Sequence, residues 1–190
     1  MAYVYRWLFP ALWLSWLAYW WIASRNVKAT VRQEGERSRA LHVVPLAIAA
    51  TLLLLPRSPI GVLGERFVTP SPWTFWTGAG MLVAGLLFSV WARLHLGRNW
   101  SAYVTVKEGH ELITNGPYRF VRHPIYTGLL LGFIGSALAR AEWRGIVAVV
   151  IAFLALWRKS RVEEQWMRER FGQAYEDYAR RTAALVPFVF

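Results

Sequence analysis

A short stretch of the chain, residues 115–128, gathers side chains that can bind an anion at the start of an apolar helix. It holds two tyrosines, two arginines and a histidine: Tyr118, Arg119, Arg122, His123 and Tyr126. Pro124 suits the first helical position, where its missing N–H would be unpaired in any case. The first turn of a helix also offers free N–H groups and a positive dipole end. We therefore predict a site here for a group that carries a carboxylate or a phosphate.

Two adjacent carboxylates, Glu163 and Glu164, form the second group of interest. They follow the last apolar run and lie in residues 158–181, where apolar and charged side chains alternate with helical spacing. Phe171 and Gly172 are expected to interrupt that helix. One interpretation is an amphipathic helix that lies on the membrane. The other is that the carboxylates meet a bound cation or ammonium group.

The elements that must position these groups are apolar enough for a lipid bilayer. The chain has 190 residues, 56% of them hydrophobic. Its apolar residues are gathered in uncharged blocks at residues 7–24, 41–56, 67–92, 124–139 and 145–157. A spanning helix needs roughly 20 apolar residues, so the last two blocks are short and are expected to form a tight hairpin. The sequence thus predicts an all-α polytopic membrane protein with about five transmembrane helices and a C-terminal amphipathic interfacial helix.

The net charge of +11 is distributed unevenly along the chain. Of the 22 Lys and Arg residues, 17 lie in residues 25–39, 93–122 and 158–181, which alternating spans place on one side. The positive-inside rule makes that side cytoplasmic, with the N-terminus outside and the C-terminus inside. The distribution argues against a nucleic-acid-binding protein, for which a basic surface is otherwise typical. It favours membrane lipids as neighbours.

Other kinds of site find little support. The chain has no cysteine, which removes disulfides, thiolate nucleophiles and cysteine-based metal sites. His95 and His110 are far apart and lack further ligands, so no metal site is predicted. Residues 103–106 are expected to form a short strand. Three glycines in the third apolar block are expected to let another helix approach closely: Gly78, Gly80 and Gly85.

Several motifs follow one another in the second half of the chain. Leu-Gly-Arg-Asn-Trp-Ser occupies residues 96–101, and Lys-Glu-Gly-His-Glu-Leu-Ile occupies 107–113. Gly-Pro-Tyr-Arg-Phe-Val-Arg-His-Pro-Ile-Tyr spans 116–126, and Phe-Gly-Gln-Ala-Tyr at 171–175 follows the Glu-Glu pair. In these motifs and their order the chain resembles the isoprenylcysteine carboxyl methyltransferase family and its prokaryotic relatives. The first two helices resemble that family only in being apolar.

This resemblance implies a membrane enzyme that binds S-adenosylmethionine in a cytoplasmic pocket. The chain would form one domain in a bacterial or archaeal plasma membrane, with its catalytic half at about residues 93–190. The resemblance places seven residues at the cofactor: His110, Leu112, Gly116, Tyr118, His123, Pro124 and Tyr126. Glu163 or Glu164 would lie near its methionine end, and Arg119 and Arg122 are the candidates to meet its carboxylate. A lipophilic small-molecule or lipid-modified acceptor would enter sideways from the lipid.

Methyl transfer suits these residue types. A carboxylate that displaces a sulfonium has no proton to lose, so the protein must mainly align the reactants and exclude water. A cation such as Arg119 or Arg161 would orient an acceptor carboxylate. An amine or hydroxyl acceptor would require a base, with three candidates: Glu163, Glu164 and His123. With a carboxylate as the favoured acceptor, the predicted catalytic residues are Arg119, Arg122 and Glu164.

Two other interpretations stay open at the level of the sequence. Membrane sterol reductases resemble the chain in their last helices and use NADPH, whose 2'-phosphate Arg119, Arg122 and Arg161 would have to bind. A non-enzymatic membrane scaffold is the third interpretation, in which residues 115–128 only anchor phospholipid head groups. The identity of the bound cofactor distinguishes all three.

Overall fold

The protein is largely helical. A computed structural model describes residues 2–54, 61–107, 109 and 111–187. These residues contain six α-helices: α1 (Ala2–Ala23), α2 (Glu36–Leu54), α3 (Pro72–Leu96), α4 (Pro124–Arg140), α5 (Trp143–Phe171) and α6 (Gln173–Arg181). Each of the five apolar blocks overlaps one of the helices α1 to α5, because a helix satisfies backbone polar groups internally in an apolar medium.

Within the described residues, two helical stretches are long and apolar enough to cross a membrane by length and composition. They are α2 and Pro72–Asn99, which contains α3. Helix α4 is also apolar but has only 17 residues. In length and composition, these two stretches fit the predicted membrane protein.

A small sheet departs from the predicted all-α class. Strand β1 (Thr30–Gln33) pairs antiparallel with β2 (Thr105–Lys107). The strand expected at residues 103–106 therefore exists, shifted toward the C-terminus. Its partner strand was not predicted, because residues 25–39 are rich in charged side chains. The sheet joins the segment before α2 to the segment that leads into the predicted site.

Helices α4 and α5 form the predicted tight hairpin. Helix α4 ends where Ala141 takes a left-handed backbone conformation with φ of 59°. The backbone N–H of Ala141 donates to the Ala137 carbonyl oxygen over 2.9 Å. Glu142 is then the only residue before α5 begins at Trp143.

The prediction of a separate interfacial helix that begins at residue 158 is wrong. Helix α5 runs through residue 158 without a break, because no glycine or proline lies between Gly145 and Phe171 to stop it. The predicted break at Gly172 is confirmed, with a φ of 53° that favours glycine. Glu163 and Glu164 consequently lie on the same rigid helix as the last apolar block.

Glycines let α3 and α4 lie in close contact. A Cβ at Gly85 would overlap the Gly128 carbonyl oxygen, and a Cβ at Gly78 would overlap that of Gly135. The predicted packing role is thus confirmed for Gly78 and Gly85. It is wrong for Gly80, which faces open space. This contact fixes the start of α4 relative to α3.

Helix α1 is joined to the same pair of helices by indole hydrogen bonds. Trp13 Nε1 donates to Ser136 Oγ on α4 over 3.2 Å. Trp16 Nε1 donates to Ser89 Oγ on α3 over 2.8 Å. These bonds orient α1 so that Trp16 and Trp20 reach the predicted site.

Candidate active site

A cavity of about 400 Å³ lies beside the start of α4. Much of its wall is apolar and comes from four helices, through Trp16, Leu17, Trp20, Leu46, Leu129 and Leu156. The polar part of the wall comes from the residues around the start of α4 and from α5 and α6: Arg122, His123, Tyr126, Lys159, Glu163 and Tyr178. Its size lies within the range of small-molecule sites. The cavity can thus take a ligand that is apolar in one part and charged in another.

His123 lies between two carboxylates of α5. Its Nδ1 is 3.4 Å from Glu163 Oε2, and its Nε2 is 3.3 Å from Glu164 Oε1. Burial lowers the pKa of His123, but the hydrogen bonds and charges of both glutamates outweigh burial and raise the pKa above its ordinary value. The imidazole therefore favours the charged form, in which both ring nitrogens donate.

Glu164 is fully buried behind His123 and connects several cations. Arg122 Nε donates to Glu164 Oε1 over 2.7 Å, and Arg168 Nη2 lies 3.4 Å from Glu164 Oε2. Burial raises the pKa of Glu164, but hydrogen bonds from His123 and Arg122 outweigh it and lower the pKa to about 2. Glu164 is not among the side chains that line the cavity. It contacts the cavity-lining residues Arg122 and His123 instead.

Arg122 lines the cavity, but several of its donors are used within the protein. Besides the bond to Glu164, its Nη1 donates to the backbone carbonyls of Ala179, over 2.9 Å, and of Thr182. Its backbone N–H donates to the Ala183 carbonyl oxygen over 2.8 Å. The sequence predicted a ligand carboxylate as the partner of Arg122, whereas the structure gives Glu164 that position. Arg122 therefore fixes the C-terminal segment against the start of α4.

Glu163 presents a carboxylate to the cavity and is held from two sides. The Tyr126 hydroxyl donates to Glu163 Oε1, and the His123 and Tyr126 rings stack with their centres 5.4 Å apart. Burial raises the pKa of Glu163, but the hydrogen bond from His123 and the charge of Lys159 outweigh it and lower the pKa. An ionised carboxylate in this position attracts a cationic ligand group.

The turn before α4 is built around Gly116. It forms a 3₁₀ turn, Gly116–Arg119, that begins with a φ of 56° at Gly116. A Cβ at this glycine would overlap the His95 ring, so the turn requires glycine both for its backbone and for space. The Tyr178 hydroxyl donates to the Tyr118 carbonyl oxygen over 2.7 Å and ties the turn to α6. Gly116 supports the site without lining the cavity.

The structure brings most of the predicted site residues together. Seven of them line the cavity: Leu112, Tyr118, Arg122, His123, Pro124, Tyr126 and Glu163. Arg119 does not, because its exposed side chain turns outward and its guanidinium lies 4.6 Å from the centre of the Phe120 ring. Arg161 is likewise exposed and lies outside the wall. His110 falls outside the described residues.

Sequence reasoning missed Lys159 and the contribution of α1 and α2. Lys159 lines the cavity four residues before Glu163 on α5, so the helical i,i+4 spacing was an available signal. It was overlooked because it lies among charged residues that were expected to cover a membrane surface. Trp16 and Leu46 also line the cavity, and no local pattern in α1 or α2 indicates which face turns inward.

Comparisons with known proteins agree with this arrangement. Residues 73–174 match the family model for phospholipid methyltransferases. A probable protein-S-isoprenylcysteine O-methyltransferase of rice, Oryza sativa subsp. indica, is 31% identical over 137 residues, which cover 67% of this chain and 70% of the relative. A 3-oxo-5-alpha-steroid 4-dehydrogenase 1 of Mus musculus is 28% identical over 132 residues, 70% of this chain and 48% of that protein.

A solved structure of the eukaryotic intramembrane Ras methyltransferase, an isoprenylcysteine carboxyl methyltransferase, has a similar fold. Its TM-score is 0.62 at 20% sequence identity, and the similarity covers 84% of this chain and 55% of that chain. The family match extends from the start of α3 to the start of α6 and includes Arg122, His123 and the two glutamates of α5. The chain therefore belongs to the phospholipid methyltransferase family, among the isoprenylcysteine carboxyl methyltransferases, which are integral membrane enzymes.

Proposed function

We propose that this protein methylates the carboxylate of a lipophilic acceptor and uses S-adenosylmethionine as the methyl donor. The observation that carries the proposal is the cavity itself, which joins an apolar wall to the charged group of His123 and Glu163. The name of the rice relative contains S-isoprenylcysteine. Such a group combines a hydrocarbon chain, which suits the apolar wall, with a carboxylate, which suits the cationic side chains of the polar wall. The acceptor class is therefore a lipid-modified or otherwise lipophilic carboxylic acid.

The polar wall has the chemistry that the donor requires. The Glu163 carboxylate, held by Tyr126 and His123, suits the positively charged methionine part of S-adenosylmethionine. Leu112 and Tyr118 add apolar and aromatic surface beside it. We assign these residues, together with Pro124, to the donor site. When bound, S-adenosylmethionine would supply a methyl group on a sulfonium: a carboxylate oxygen would bond to the methyl carbon, and the sulfur would leave with the electron pair of the broken C–S bond.

The state of the ionisable residues favours a carboxylate over an amine or a hydroxyl acceptor. An amine or hydroxyl would need a base, and the three candidates already have partners: His123 contacts both glutamates, and Glu163 also accepts from Tyr126. The raised pKa of His123 favours its protonated form, which cannot accept a proton, and the lowered pKa of Glu164 reflects its bonds to His123 and Arg122. A carboxylate acceptor needs no proton transfer, so the charged network can serve to hold the site in shape. Glu164 and Arg122 then act as positioning residues.

The same proposal includes the arrangement of the chain in the membrane. Helices α1 to α4 and the apolar first part of α5, residues 145–157, would lie in the bilayer as one domain, with the N-terminus outside and the C-terminus in the cytoplasm of a bacterial or archaeal cell. The basic segments at residues 25–39, 93–122 and 158–181 support this orientation. It places the polar part of the cavity wall at the cytoplasmic side and the apolar wall toward the lipid.

Calorimetric titration of the detergent-solubilised protein with S-adenosylhomocysteine, beside NADPH under the same conditions, tests the donor assignment. The proposal expects binding of S-adenosylhomocysteine alone. Binding of NADPH alone would favour a reductase, which is tested because the chain is similar to the mouse steroid dehydrogenase. Binding of neither compound would favour a membrane scaffold.

A further inference from the structure

Three side chains of the cavity wall can carry a positive charge, Arg122, His123 and Lys159. Among the described residues, only Lys159 of these three makes no hydrogen bond or ion pair with a carboxylate. Arg122 is paired with Glu164 over 2.7 Å. The Lys159 ammonium donates to the Ala102 carbonyl oxygen over 2.9 Å and makes no other hydrogen bond or ion pair with the described part of the chain. An ammonium has three donors, so two of them are available to a ligand.

The burial of Lys159 makes an anionic ligand energetically favourable. The residue is only 9% exposed and lines the cavity. A buried charge is costly unless it is paired. Two interactions compensate only part of this cost: the Tyr126 ring, whose centre lies 5.2 Å from the Lys159 Nζ, and the charge of Glu163, which lies beyond ion-pair distance. An anion in the cavity would supply the missing partner.

The position of Lys159 along α5 indicates which anion it meets. Leu156, Lys159 and Glu163 all line the cavity, and their spacing of three and four residues places them on one face of the helix. At 1.5 Å per residue, Lys159 lies about 4.5 Å beyond Leu156 and about 6 Å before Glu163 along the axis. An anion on Lys159 therefore sits between the apolar wall and the carboxylate assigned to the donor.

We propose that Lys159 binds the carboxylate of the acceptor, while the hydrocarbon part of the acceptor lies against Leu156 and against Leu46 of α2. This inference rests on the proposed function and adds the residue that selects a carboxylic acid. The methionine part of the donor also carries a carboxylate, which is the same ligand chemistry from a second source. The two sources are separated by measuring acceptor and donor binding independently.

The test compares binding of S-farnesyl N-acetylcysteine with binding of its carboxamide, each measured by calorimetry in the absence of S-adenosylmethionine and S-adenosylhomocysteine. Affinity for S-adenosylhomocysteine is measured in a separate titration. The variants are Lys159→Met, which is neutral, and Lys159→Gln, which is neutral but can still donate to Ala102. Lys159→Arg keeps the charge, and Arg170→Met removes an exposed charge elsewhere on α5 as the matched control.

We expect both neutral variants to lose roughly ten- to a hundredfold in affinity for the carboxylate, the range for a hydrogen bond to a charged group. Their affinity for the carboxamide and for S-adenosylhomocysteine should stay unchanged, which also shows that they are folded. Lys159→Arg and Arg170→Met should keep the wild-type preference for the carboxylate.

Two results would overturn the assignment of Lys159. The first is an undiminished preference for the carboxylate over the carboxamide in both neutral variants. The second is a tenfold or greater loss of S-adenosylhomocysteine affinity with acceptor binding intact, since Lys159 would then hold the donor's carboxylate. The proposed donor would be refuted, and the carboxylate site would not, if the wild-type protein binds no S-adenosylhomocysteine but prefers the carboxylate to the carboxamide in a way that depends on Lys159.

Discussion

Replacing Glu164 by glutamine tests whether the buried ion-pair network holds the site together. The side chain is fully buried, and Arg122, His123 and Arg168 all lie within 3.4 Å of its oxygens. Glutamine preserves the size of the side chain but leaves the Arg122 guanidinium and the His123 imidazolium without their shared anion. Breaking a buried ion pair from one side is strongly destabilising.

The size of the effect follows from the pKa of Glu164. A decrease from 4.5 to about 2 corresponds to about 3 kcal/mol of stabilisation of the ionised form. For a chain of this length, a loss of about 3 kcal/mol lowers Tm by roughly 6 to 12 °C. The measurement is the apparent Tm of the detergent-solubilised protein at pH 7, followed by intrinsic fluorescence at one fixed heating rate.

Glu169→Gln is the matched control on the same helix. Glu169 is exposed and pairs with Arg32 at the surface, so its loss should change Tm very little. The folded pKa of Glu164 is lowered, so its contribution is complete above the ordinary carboxyl pKa and is lost as pH falls from about 4.5 toward 2. The gap between wild type and Glu164→Gln should therefore narrow over that range. Equal Tm values for the two variants at pH 7 would refute the reasoning.

Two further predictions concern the charge of His123 and the contact between α3 and α4. The folded pKa of His123 is raised, so the stability that its imidazolium contributes is complete below about pH 6.5 and is lost as pH rises through the folded pKa. His123→Gln should remove this decline in apparent Tm. An identical dependence of Tm on pH in the variant and the wild type would contradict this prediction. Gly128→Ala should lower the apparent Tm by the equivalent of about 1–3 kcal/mol, because its Cβ would overlap the Gly85 carbonyl oxygen. Gly80→Ala, with open space around it, should leave Tm unchanged or raise it slightly, and equal losses in both would show that the close contact is not the cause.

The sequence was informative where one strong local signal decided the structure. Uncharged apolar blocks located the helices α1 to α5, and Gly172 located the break before α6. The cluster around the start of α4 was also predictable, because its residues are close in the chain and its proline marks the beginning of the helix. His123 and Tyr126 therefore reach the cavity as expected.

The remaining features depend on tertiary contacts that local patterns do not encode. Strand β1 contains Thr30 and Val31, which favour strands, but it has only four residues and needs β2 as its partner. The sequence suggests that Arg122 binds a ligand, whereas in the structure it donates to Glu164, forty-two positions away in the chain. In the sequence, Lys159 cannot be told from the surface charges around it; only its position on α5 in the structure shows that it is buried and faces the cavity. Charge type is visible in a sequence, whereas the pairing of charges is not.

A methyl-transfer assay tests the central claim most directly. The purified protein is incubated with S-adenosylmethionine labelled in its methyl group and with S-farnesyl N-acetylcysteine, and the extracted product is then treated with alkali. A carboxyl methyl ester releases its label as volatile methanol under these conditions, whereas a methylated amine retains it. We predict alkali-labile label that depends on the free carboxylate and is absent with the carboxamide. Label that resists alkali, or equal labelling of the carboxamide, would contradict the account.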